Sequence, residues 1–174
     1  PVSTYGSPQA FARLIQNLKV TCKWDPHCNG VSATLETAYA KNKHDVCDLL
    51  FREGVSLKMK NLSGVINTHE VSLESVEKVI QNLKDTHSWD SKCNDASKAL
   101  ETAYMGNKND VCDLLIQEGI SLTMKNATSI ISIFVPLESV KKAIQHLKDT
   151  DSWDPTCDEV PKAFINAYKI GGYE

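Results

Sequence analysis

Internal repetition limits what this chain can fold into more than any other feature it carries. Ile15-Gln16-Asn17-Leu18-Lys19 recurs as Ile80-Gln81-Asn82-Leu83-Lys84 and again as Ile144-Gln145-His146-Leu147-Lys148. Trp24-Asp25 recurs as Trp89-Asp90 and then as Trp153-Asp154, at steps of 65 and 64 residues. Between Leu35–Asn61 and Leu100–Asn126, 20 of 27 positions are identical. A fixed period means that one supersecondary unit has been copied and stacked, since a lone unit cannot bury its own apolar face. The 174 residues divide into units of about 1–63, 64–128 and 129–174 within a single repeat domain spanning 1–174. The third copy stops at Tyr168, so the chain holds about two and a half units.

Inside each unit the apolar period is helical. Phe11, Leu14, Ile15 and Leu18 fall at i, i+3, i+4 and i+7, as do Val76, Val79, Ile80 and Leu83, then Val140, Ala143, Ile144 and Leu147. Ser7 before Pro8, Ser72 before Leu73-Glu74 and Pro136 before Leu137-Glu138 mark the starts. A second helix type is expected to take Asp45 or Asp110 as N-cap, to bury Val46, Leu49, Leu50 or Val111, Leu114, Leu115, and to close at Gly54 or Gly119. Shorter apolar-faced segments around Leu35, Ala38, Tyr39 and Leu100, Ala103, Tyr104 precede it, and Met59 and Met124 read as loop anchors. No stretch alternates with period two, so the expected fold is all-α.

Composition narrows the functions. A formal charge of −3 provides no basic field for a nucleic acid, and 41% apolar with 24% charged residues describes a globular chain. The longest apolar stretch, Ile130 to Leu137, is far too short for membrane insertion and is interrupted by Ser132 and Pro136. No basic segment followed by an apolar one opens the chain, so a signal peptide is expected to be absent or removed.

Leu100 to Gly119 resembles an ankyrin repeat position by position: a short first helix, a turn, an acidic Asp110 at the second helix, the Leu114-Leu115 pair and a closing Gly119, although the family's Gly-His turn is here Asn107-Lys108, and Asn42-Lys43 in the preceding copy. Leu35 to Gly54 is similar. One such repeat takes roughly 33 residues, so each 65-residue unit holds about two, and Gly64–Asn67 and Thr128–Ile131 would be first helices of degenerate copies. The resemblance implies a helical-hairpin solenoid that binds proteins. The chain departs from the family where Thr-Pro-Leu-His is expected: Ala33-Thr34-Leu35-Glu36 and Lys98-Ala99-Leu100-Glu101 lack the Thr and His that tie neighbouring repeats together.

Six cysteines, at 22, 28, 47, 93, 112 and 157, allow 15 pairings. The reduced reading packs Cys47 and Cys112 as small apolar residues on helix faces. The oxidised reading favours Cys22–Cys28, Cys47–Cys93 and Cys112–Cys157, because it leaves no thiol without a partner; pairing within units, Cys28–Cys47 and Cys93–Cys112, strands Cys22 and Cys157. Asn61-Leu62-Ser63 and Asn126-Ala127-Thr128 match the N-glycosylation pattern. Cysteines and sequons together favour a secreted, disulfide-stapled protein, with a cytoplasmic one as the alternative.

Catalytic chemistry finds no motif. None of the histidines at 27, 44, 69, 87 and 146 sits at ligand spacing with another ligand type; His27 with Cys22 and Cys28 would make half a zinc site. No phosphate loop or nucleophile elbow occurs, and no cofactor or metal is expected. The repeated Trp24-Asp25, Trp89-Asp90 and Trp153-Asp154 pairs are the partner-binding candidates, because aromatic anchors beside charges are what protein interfaces use. The competing reading seals each repeat with the Trp and caps a turn with the Asp. Tyr39, Tyr104 and Tyr168 read as core. The expectation is a non-enzymatic protein-binding scaffold of effector or host-interaction type, recognising its partner through loops and first-helix face. The alternative is a secreted helical carrier of a small apolar ligand.

Overall fold

The computed structural model describes residues 7–132, 135–158, 160–163 and 165. Among these the chain is helical, with no strand. Its elements are α1 (Pro8–Val20), α2 (Asn29–Ala40), α3 (His44–Arg52), α4 (Met59–Ile66), α5 (Leu73–Asp85), α6 (Asn94–Met105), α7 (Asn109–Gln117), α8 (Met124–Ser132) and α9 (Leu137–Asp149). Tyr168 and the Tyr168 end of the third unit lie outside the described residues.

The long helices start where their caps place them. Ser7 Oγ accepts the Ala10 N–H and Ser72 Oγ accepts the Ser75 N–H, each at 3.2 Å. α3 and α7 begin earlier than the sequence suggests. Their N-caps are Lys43 and Lys108, so Asp45 and Asp110 sit in the first turn and act on the helix dipole instead of capping. Both helices close on a glycine in the left-handed region, Gly54 at φ +84° and Gly119 at φ +82°, as the C′ signal requires.

Met59 and Met124 are not loop anchors; they open α4 and α8, which extend upstream of the short helices expected at 64–67 and 128–131. The reason is a pair of asparagines three residues in from the caps. Asn61 Oδ1 accepts the Lys58 N–H at 2.9 Å, and Asn126 Oδ1 accepts the Thr123 N–H at 3.1 Å while Thr123 Oγ1 takes the Asn126 N–H at 3.3 Å. Each helix is thereby started a full turn earlier.

The helices pack in two rows. In one, α4 touches α2 and α6, and α6 touches α8; in the other, α1 lies on α3 and α5 on α7. Chain neighbours cross between rows as α2–α3, α4–α5, α6–α7 and α8–α9, while α2–α5 and α6–α9 brace successive pairs. The core runs between the rows through Leu35, Leu62, Leu83, Leu100, Leu115 and Leu147, all fully buried. Each such side chain contributes about 2 kcal/mol on leaving water.

Candidate functional site

The three Trp-Asp loops have one geometry. Asp25 Oδ1 accepts the His27 N–H at 2.9 Å, Asp90 Oδ1 that of Lys92 at 2.9 Å, and Asp154 Oδ1 that of Thr156 at 2.8 Å. The same aspartates' carbonyls accept the Cys28, Cys93 and Cys157 N–H groups at 3.3, 3.4 and 3.3 Å. This is an Asx turn written three times. Trp24, Trp89 and Trp153 are half-buried and packed against the core. Lys84 Nζ lies 5.8 Å from the Trp89 ring centre and pairs with Glu118 at 2.6 Å, fixing that loop to the end of α7; in the preceding copy Lys19 pairs with Glu53. In each loop the Trp packs against the core and the aspartate sets the turn.

All six cysteines are free thiols, so the bridges expected at Cys22–Cys28, Cys47–Cys93 and Cys112–Cys157 are not formed. Cys47 and Cys112 face inward from α3 and α7, where burial pushes each thiol up to about 12. Cys28 and Cys93 stand at the N-caps of α2 and α6. Cys22 holds a φ of +54° at the turn where His87 and Asp151, its counterparts, have +55° and +51°. That position is set by the backbone, and it accepts Asn, Asp or His more readily than Cys.

The sequon asparagines are structural. Asn61 and Asn126 are only 6% and 8% exposed, and their Nδ2 groups donate to Glu36 Oε2 at 2.5 Å and Glu101 Oε2 at 2.6 Å. A glycan on that nitrogen would break the hydrogen bond and have to leave the interior.

These pairs, together with Asn42 and Asn107, are what the sequence reading missed. Asn42 Oδ1 accepts the Ser72 N–H and the Ser75 hydroxyl, both at 2.9 Å, and its Nδ2 donates to the Glu70 carbonyl at 2.7 Å. Asn107 Oδ1 accepts the Ser139 hydroxyl at 2.9 Å. Glu36–Asn61 ties α2 to α4 and Glu101–Asn126 ties α6 to α8, and Asn42 and Asn107 tie each turn to the following long helix. Their identity across both well-matched copies was the available signal.

One open concave feature lies beside α1 and α2. A groove of about 840 Å³ runs between α1, α2 and the start of α3, with Phe11, Ala33, Thr34, Ala38 and Val46 along it and Lys41 and Lys43 at its edge. It exposes the side of α2 that, in α6, is covered by α4. Among the described residues no three His, Cys, Asp or Glu side chains converge as metal ligands would, and no helix is long and apolar enough to cross a membrane. Comparison with protein-family models, curated proteins and solved structures gives no match.

Proposed function

We propose that this chain is a non-enzymatic protein-binding scaffold, a solenoid of ankyrin-like helical hairpins whose binding surface is the first-helix face. The two rows of helices, the spacing of about 30 to 35 residues between successive hairpins (Asn29, Met59, Asn94, Met124 as their first residues) and the glycine-closed second helices support the solenoid reading. The groove beside α2 carries the functional reading, because it is a largely apolar channel on that face with Lys43, His44 and Asp45 among its polar residues, a form that accepts an amphipathic helix. The Trp-Asp loops support the fold more than the contact. Inward-facing Cys47 and Cys112, acting as small apolar residues, favour the cytoplasmic alternative over the secreted one.

Selection of displayed random peptides against the immobilised chain tests this. Selected peptides should lose binding to Thr34→Arg, which fills the groove, and keep it on Trp89→Ala. Loss on Trp89→Ala with retention on Thr34→Arg would move the interface to the loops, and failure to select any peptide would contradict the scaffold.

A further inference from the structure

The turn from α2 into α3 meets α5 at a cluster of polar side chains whose hydrogen-bond roles follow from their geometry. Asn42 Oδ1 accepts the Ser72 backbone N–H and the Ser75 hydroxyl, both at 2.9 Å. With its proton given to Asn42, Ser75 Oγ turns lone pairs to His44 Nε2 at 3.4 Å, so Nε2 carries the ring proton. The other side of the ring agrees. Lys78 Nζ stands 2.8 Å from His44 Nδ1, and an ammonium only donates, so Nδ1 is a bare acceptor. The Lys78 bond to Glu74 at 3.0 Å raises the lysine's pKa and keeps it charged. Two contacts thus assign the same neutral tautomer to His44.

This state has a competitor already in place. Glu74 Oε1 lies 3.7 Å from the same Nδ1. Lys78 holds the Glu74 carboxyl below the usual carboxylate range, so it is ionised when the ring is neutral and when it is not. A proton on Nδ1 sets imidazolium against ammonium at hydrogen-bond distance and gives the carboxylate a second N–H to bind. The other charges at this joint are Asp45 and Asp48 on α3, of which Asp48 acts on Lys78, and Lys41 and Lys43 on the turn, Lys41 being paired with Glu70 at 3.6 Å. Cys47 beside them stays neutral, because burial pushes its thiol up to about 12. From α1 come Ser7, Pro8 and Phe11, none of which titrates.

The next joint along the chain is built the same way around an acceptor that takes no proton. Asn109 stands in the place of His44, and its Oδ1 accepts from Lys142 Nζ at 2.9 Å, while Ser139 donates to Asn107 as Ser75 does to Asn42. There Glu138 pairs with Lys141 at 3.8 Å. The position of Lys141 is filled in α5 by a glutamate, Glu77, so Glu74 is left to Lys78 and His44.

We propose that His44 is a proton-operated switch of partner in the joint between α3 and α5: neutral, its Nδ1 accepts from Lys78; protonated, its Nδ1–H donates to Glu74 and Lys78 is released. One proton passes from solvent to Nδ1, and no other group changes its protonation. Asn42 keeps Ser72 and Ser75 in both states, so the joint exchanges ion partners without opening.

Ring 15N and side-chain 13C shifts of the labelled chain test this, followed from about pH 8 to about pH 5.5, across the ordinary histidine pKa of about 6.5. At the upper end His44 should show a protonated Nε2 and an unprotonated Nδ1. On acidification Lys78 Cε and Glu74 Cδ should shift in one step with the His44 ring, and Lys142 Cε should stay flat. His44→Asn, which installs the amide found at position 109, should remove the step at Lys78 and at Glu74.

An Nδ1–H tautomer at the upper end would overturn the assignment of donors. Lys78 staying flat while His44 titrates, or a Lys78 step that survives in His44→Asn, would overturn the switch. A Glu74 signal that does not move with Lys78 would overturn the carboxylate as the new partner. The wild-type titration decides these points even where the variant fails to fold.

Discussion

The α1–α2 and α5–α6 regions carry the same pattern 65 residues apart and are finished differently. In the second, Val76, Val79, Ile80 and Leu83 of α5 and Ala96, Ala99 and Ala103 of α6 are all buried. In the first, Leu14 is half in water, Asn17 is exposed, and Phe11 and Leu18 are only half-buried. The residues differ little; what differs is the cover that α4 gives α5 and α6. Burial here belongs to the packed neighbour as much as to the residue itself.

The largest consequence concerns core truncation. Leu83→Ala, at a fully buried site under α4, should cost about 3 kcal/mol in denaturant unfolding. Leu14→Ala, at a site open to water, should cost less than about 0.5 kcal/mol. Similar losses at both would mean that the first copy is as closed as the second.

A smaller contrast separates the two Asn–Glu ties. Glu101 is 3% exposed and bonded to both Asn126 and Lys98, whereas Glu36 is half-buried and has Ala33 in the place of that lysine. Asn126→Ala leaves a buried carboxylate short of a donor and should cost about 2 kcal/mol, measured by thermal unfolding. Asn61→Ala should cost about half as much, since water reaches Glu36. A reversed order would place the tighter joint in the first copy.

The smallest effect distinguishes Asn82 from its counterpart His146. The Leu122 N–H is accepted by His146 Nε2 at 3.4 Å, which requires that nitrogen to be unprotonated. Burial lowers the His146 pKa, partly offset by Asp149. A histidine whose pKa is lower folded than unfolded takes up protons on unfolding, so its contribution is complete above the ordinary histidine pKa of about 6.5 and declines as pH falls toward the lower, folded value. Unfolding free energy should therefore drop on acidification through that window, and His146→Asn should remove that part of the slope. An unchanged slope would show that His146 is not held neutral.

The sequence made the helices legible because period and caps are local: Ser7, Ser72, Gly54 and Gly119 act where they were read. The starts of α4 and α8 were not legible, because Asn61 and Asn126 cap through their own helix and then reach across to Glu36 and Glu101, a contact 25 residues distant. The same contact makes them poor glycan acceptors, which the three-residue motif cannot register. The Trp-Asp repeat was visible in sequence, yet its division of labour was not: packing of Trp against neighbouring helices and an Asx turn from Asp leave the same pattern as a recognition loop. The groove was least legible of all, since the apolar pattern of α1 reads like that of α5, and only the structure shows α4 packed on α5.

Hydrogen exchange on this chain compares the two regions most directly. Amides of α5, covered by α4, should be protected by orders of magnitude more than their counterparts in α1. Protection of α1 equal to that of α5 would contradict the difference in cover on which the comparison rests.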